Sequence, residues 1–252
     1  MRNTVFVLIS IVFGLIFSEG LLRVIGFGPF QNIYLGIEPP MLVSDSVLGW
    51  RSPRGKFILP PSHPSGKPAT YTVLENGQRS CGEDSTNTEG EIVIVGGSFA
   101  QGWAVSDSET FACKLQQKFP SLKVVNYGTG AYGSYQSLLV LEQELQRMTS
   151  PKFVIYGFIN GHESRNVAPA DQLLSLSKYS KSGHVAVPFA TLDKNNRIVR
   201  HPPEAHLSLP FRESLAMIHI IERFYMKIKT WKRLKQKRMV TEAILLQMDK
   251  VS

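Results

Sequence analysis

The sequence predicts an α/β domain, a three-layer αβα sandwich on a parallel sheet, preceded by an N-terminal transmembrane helix. Three observations carry this expectation. An uncharged run from Thr4 to Ser18 opens the chain, apolar runs alternate with helical periodicity from Glu91 to Ile159, and the first run, Ile92 to Val95, stops at Gly96-Gly97 and presents Ser98.

Thr4 to Ser18 is dominated by Val, Leu, Ile and Phe, and the apolar character resumes as Gly20-Leu21-Leu22 beyond Glu19. A helix crosses a bilayer with about 17–25 apolar residues, so residues 1–30 read as an uncleaved signal anchor. The alternative is a secretory signal cleaved near Ser18 and Gly20; the continuation past Glu19 and the lack of an Ala-x-Ala site argue against it. Arg2 and the amino terminus favour a cytoplasmic N-terminus, which puts the remainder of the chain on the periplasmic or extracellular side.

Residues 31–90 form a Pro/Gly-rich linker with short strands, in which Pro39-Pro40, Pro60-Pro61 and Ser65-Gly66 punctuate extended pieces at 56–59 and 69–74. From Glu91 the pattern predicts strand 91–96, helix 107–118, strand 122–127, helix 134–148 and strand 152–159. Ser106, Asp107 and Glu109 read as cap and first-turn acids of the first of these helices. Such alternation requires right-handed crossovers between parallel strands. Beyond Gly161 it lapses into a hairpin over 184–200 and a helical region from about residue 211 to the end.

The 252 residues suffice for one substantial core, and 43% hydrophobic with 19% charged residues excludes both a disordered chain and a wholly membrane-embedded one. The net charge of +8 is uneven, with Lys227, Lys229, Lys232, Arg233, Lys235, Lys237 and Arg238 crowded together. Ile221, Phe224, Tyr225, Ile228, Trp231 and Leu234 recur among them at three- and four-residue spacing, which predicts an amphipathic helix with a basic face. That face is either solvated or set against anionic lipid or polysaccharide; no nucleic-acid motif accompanies it, and no nucleic acid is expected as a partner. Cys81 and Cys113 permit one disulfide, or Cys113 is a buried apolar residue on its helix. Neither cofactor nor metal is expected: metal-ligand spacing is lacking, and Gly128-x-Gly130-x-x-Gly133 lacks the acidic residue of a dinucleotide site.

Parallel strands bring their carboxyl ends to one edge, so Ser98, the segment Asn126 to Ser134 and the segment Gly157 to Asn166 should meet there. The chemistry this suits is acyl transfer, with Ser98 as nucleophile and the N–H groups of Ser98 and Gly130 and the Asn160 amide holding the oxyanion. His162 is the histidine nearest this edge, either a substitute base or a hydrogen-bonded support with Glu163 and Arg165 as partners. Tyr127, Tyr132 and Tyr135 either stack on a sugar or pack between sheet and helix.

Gly96-Gly97-Ser98-Phe99 with Gly102, Asn126-Tyr127-Gly128-Thr129-Gly130 and Tyr156-Gly157-Phe158-Ile159-Asn160 resemble the first three sequence blocks of the SGNH (GDSL-like) hydrolases. With the anchor, Leu48-Gly49-Trp50-Arg51, Asn76-Gly77-Gln78-Arg79 and His162 to Asn166, the chain resembles membrane-anchored bacterial members of that family over 46–252. The resemblance implies a flavodoxin-like fold for 91–252, with 168–210 inserted. It also implies a serine esterase or O-acetyltransferase acting on acyl groups of cell-surface carbohydrate, or on another ester. Ser98 matches the nucleophile, Gly130 the second-block glycine and Asn160 the third-block asparagine. Gly97 stands where the family carries Asp, and the third block is one residue longer than usual. The family's Asp-x-x-His base block would follow Ser252. The expectation is therefore a domain incomplete at its C-terminus, with a non-catalytic polysaccharide- or protein-binding module of the same fold as the alternative.

Overall fold

The computed structural model describes residues 2–34, 41–61, 66–81 and 89–252; Pro39-Pro40, His63 and Ser65 lie outside the described residues. Helix α1 (Arg2–Val24) runs unbroken through Glu19. Its stretch Asn3–Val24, with mean hydropathy 2.4, is long and apolar enough to cross a membrane. Strands β1 (Val43–Asp45) and β2 (Gly49–Arg51) pair antiparallel, as do β3 (Gly55–Leu59) and β4 (Ala69–Val73). The alternating inward residues Phe57, Leu59, Tyr71 and Val73 of the second pair form a small core with Ala69.

Next come β5 (Gly90–Gly96), α2 (Ser98–Gln101), a 3₁₀ turn (Asp107–Glu109) and α3 (Phe111–Lys118). The helix expected from 107 thus begins at 111. Ser106 N–H donates to Glu109 Oε2 at 2.9 Å as the cap pattern implies, but Thr110 Oγ1 accepts from Cys113 N at 3.1 Å and caps a second, separate helix. Strands β6 (Leu122–Asn126) and β7 (Pro151–Gly157) flank β5 in the order β6-β5-β7, all parallel. Ile94 lies opposite both Asn126 and Ile155, and Gly96 lies opposite Gly157, so the carboxyl ends are in register. Ile94, Val124 and Ile155 pack with Ala100 of α2 and with Ala112 and Leu115 of α3.

Helix α4 (Ser134–Leu145) links β6 to β7, and the short α5 (Gly161–Arg165) follows β7. The remaining elements are α6 (Ala170–Tyr179), the two-stranded sheet β8 (Ala186–Leu192) and β9 (Ile198–Ala205), α7 (Ala216–Lys235) and α8 (Lys237–Val251). Asp193 Oδ1 accepts the N–H groups of Asn195 and Arg197, both at 2.8 Å, which fixes the turn between β8 and β9.

The chain divides into two compact units. One comprises Met1–Gly36, Pro169–Val185 and Ala205–Lys232; the other comprises Ile37–Ala168, Ala186–Glu204 and Arg233–Ser252. The first is organised around Arg212, whose guanidinium donates to Glu222 Oε1 at 3.0 Å and to the Gly183 carbonyl, and covers the Phe30 ring at 3.9 Å. The second holds the parallel sheet and every residue of the expected site. Within it, Asn166 Nδ2 donates to Thr241 Oγ1 at 2.8 Å and ties the end of α5 to α8.

Candidate active site

Ser98 opens α2 at the end of β5, partly exposed, with Gly97 at the cap position. The loops that follow β5, β6 and β7 pack directly on one another around this turn. A methyl group built on Gly128 would stand 2.4 Å from Gln101 N and 2.7 Å from the Ala100 carbonyl carbon, so only glycine lets the second loop lie against α2. The Asn126 side chain fastens the contact, donating to the Ala100 carbonyl at 2.8 Å and accepting from Gly128 N at 2.9 Å. Gly96 O accepts from Thr129 N at 3.0 Å. Trp50 Nε1 donates to the Gly130 carbonyl at 3.1 Å, and Ala131 beside it holds φ at 65°. Non-glycine residues with positive φ cost free energy and collect at functional sites.

The third loop reaches the same turn through α5. A methyl group on Gly97 would stand 2.9 Å from His162 Nε2, 3.2 Å from an Arg165 guanidinium nitrogen and 3.2 Å from the Tyr132 carbonyl oxygen. Glycine at 97 is therefore coupled to His162: the imidazole fills the space a side chain at 97 would enter. Arg165 donates to the Tyr132 carbonyl at 3.0 Å and closes the gap between the second and third loops.

His162 is buried and sits 2.6 Å, through Nδ1, from the Tyr156 hydroxyl, which donates to Ser134 Oγ at 2.7 Å. With its own proton given to Ser134, Tyr156 accepts from Nδ1–H, and Nε2 is left as a bare lone pair beside Gly97. No hydrogen bond reaches Nε2 among the described residues, so it is not joined to Ser98. Burial, and then the Arg165 charge, pull the His162 pKa down from 6.5 to about 4, which keeps the ring neutral at physiological pH. Burial pushes the Tyr156 hydroxyl up to about 12, so it stays protonated.

A histidine buried in its neutral form has a pH signature. The unfolded chain takes up the proton near pH 6.5 and the native state only near pH 4, so stability is complete above that window and falls as pH drops through it. A shift of this size corresponds to about 3 kcal/mol. Burial lowers His206 and His219 in the same direction. Denaturant unfolding of the full chain near neutrality and at about pH 4 should therefore show an acid loss that His162→Gln diminishes. An unchanged pH difference in that variant would contradict the assignment.

Asn160 stands exposed at the turn into α5, and its amide makes no hydrogen bond among the described residues. Tyr127, Tyr132 and Tyr135 are all buried, which decides for packing over sugar stacking. The Tyr127 hydroxyl donates to Glu144 Oε2 at 2.8 Å and that of Tyr132 to the Trp50 carbonyl. Cys81 and Cys113 form a disulfide.

One brace was not assigned a role from sequence. The buried Arg79 guanidinium uses all five of its N–H groups. They go to Asp107 Oδ1 at 2.9 Å, to the carbonyls of Gln101 and Gly102 at 3.2 and 3.1 Å, and to those of Thr70 and Val105 at 3.2 and 2.8 Å. It thereby holds the loop that leaves α2. A buried arginine between two polar runs carries no periodic signal, which is why only the resemblance drew attention to it.

No protein-family model and no curated protein matches the chain. Among solved structures it is similar to AlinE4, an SGNH-hydrolase family esterase, at 19% identity and a TM-score of 0.29, over 38% of this chain and 53% of that one. A mutant of the same esterase gives the same values. The chain spans about half the length of these structures, and overlap at that score does not define a shared fold.

Proposed function

We propose that this chain is an SGNH-type serine ester hydrolase, tethered by α1 to a membrane and exposed on the exported side. Ser98 Oγ attacks the ester carbonyl carbon and passes its proton to His162 Nε2. The proton leaves with the alcohol, and water, or an acceptor hydroxyl in an O-acetyl transfer, then releases the acyl group. The N–H groups of Ser98 and Gly130 and the Asn160 amide receive the oxyanion. The observation that carries this reading is the contact of three strand-end loops around α2, with the unpartnered Nε2 of His162 beside the residue that precedes Ser98. The exposed Phe99 and Trp103, close to Ser98 in the chain, offer apolar surface to an acyl chain or a sugar ring, in keeping with an acylated carbohydrate as substrate.

The order β6-β5-β7 supports a three-layer sandwich. The crossovers β5 to β6 and β6 to β7 run in opposite directions, and right-handed connections then put α3 and α4 on opposite faces.

A fluorophosphonate probe reacts with activated serines, so incubation with the full chain should phosphonylate Ser98, read by peptide mass spectrometry and lost in Ser98→Ala. A non-catalytic binding module is the second reading, favoured by the lack of a hydrogen bond from His162 Nε2 to Ser98. An unmodified Ser98 would select it.

A further inference from the structure

Helix α7 is built inside out. Its buried side carries Ala216, His219, Glu222, Met226 and Thr230. Ile221, Phe224, Tyr225, Ile228 and Trp231 are between 49% and 67% exposed. At the helical advance per residue these five fall within an arc of about 120°, with Lys227 and Lys229 at its two edges and Lys232 and Lys235 inside it in the last turn of the helix. The inward side is fixed by polar bonds, Glu222 to Arg212 at 3.0 Å and Thr230 Oγ1 accepting from Ala170 N at 3.1 Å, so the apolar stripe cannot roll inward without breaking them.

The same unit contains α1, and the two helices are joined where α7 begins. Glu19 accepts the N–H groups of Ala216 and Met217 at 2.9 and 3.0 Å, and Arg23 donates to the Ser214 carbonyl at 2.7 Å. Charged side chains in the last turns of a membrane span sit at headgroup level, which puts the start of α7 at that level too. Phe211, in the loop before α7, is 71% exposed and held at φ 64°. Its ring is thus turned to the outside by a backbone conformation that costs free energy.

We infer that α7 lies in the plane of the membrane that α1 crosses, with Phe224, Ile228 and Trp231 in the acyl boundary and its lysines on anionic headgroups. An apolar arc edged by lysines, with the long stems of Lys232 and Lys235 carrying their ammonium groups back to the headgroups at its far end, is the pattern of an interfacial helix, and the bilayer is already at hand where α7 starts. This rests on reading α1 as a span.

The test is spin labelling of the full chain in vesicles of three parts phosphatidylcholine to one part phosphatidylglycerol. Single cysteines replace Phe224, Ile228 or Trp231; Ile11 in α1 and Lys194 in the β8–β9 turn serve as controls, and the native cysteines stay oxidised. Labels at 224, 228 and 231 should collide with oxygen several-fold more than with an aqueous nickel complex, as at 11 and opposite to 194. If position 11 is lipidic while 224, 228 and 231 match 194, the inference fails and the anchor stands. A water-exposed label at 11 overturns both. Dipolar broadening at 228 that disappears on dilution with unlabelled protein would show a second copy covering the stripe, and would also overturn it.

Discussion

Replacing Arg79 by Ala is expected to destabilise the protein by about 3–5 kcal/mol, the range for removing one partner of a buried ion pair. The guanidinium is buried and meets the Asp107 carboxylate and four carbonyls. Its loss takes from the Asp107 carboxylate the cation it shares with the Thr72 N–H at 2.9 Å and removes the donors that hold Gln101, Gly102 and Val105 in place. It also strips the Tyr71 ring of the cation 4.1 Å from its centre. Arg79→Lys restores the charge but not the planar fork, so it should recover only part of the loss. Denaturant unfolding of the full chain in detergent micelles measures both. A loss in Arg79→Ala below about 1 kcal/mol, the worth of an exposed pair, would contradict the role given to this residue.

Elements that repeat a simple pattern were legible in the sequence. The apolar runs at 91–96 and 122–127 and the run expected over 152–159 became the three parallel strands, because short runs rich in β-branched and aromatic residues favour extended backbone; β5 is buried nearly throughout, whereas β7 is exposed or half-buried along its whole length. Glycine at 97 was legible as a departure but not as a fit. Its reason is an imidazole from residue 162, which becomes a neighbour only when β7 pairs with β5. The break before α3 was hidden for the same kind of reason: Asp107, read as a first-turn acid, spends its carboxylate on Arg79 and on Thr72 N–H. In α7 the spacing shows an amphipathic helix but carries no sign of which side faces inward. The buried polar bonds of Glu222 and Thr230 decide that, and turn the apolar side outward.

For the site, the loops were legible in the sequence and the contacts that join them were not. Gly128, Asn126 and His162 each make contacts that bring loops together, whereas Asn160 stands exposed at the turn into α5. Asn160 enters the proposed oxyanion site through its place in the third block alone.

Hydrolysis of p-nitrophenyl acetate by the full chain tests Ser98 as a nucleophile most directly. Removing the attacking hydroxyl from a serine hydrolase costs on the order of 10³-fold or more, because binding and oxyanion contacts alone preserve little of the rate. Ser98→Ala should therefore lose about 10³-fold or more of kcat. His162→Gln should lose much of kcat with KM little changed, as removal of a proton acceptor from the transition state requires. A Ser98→Ala protein that hydrolyses the ester as fast as the unaltered chain, or an unaltered chain no faster than buffer, would contradict the account.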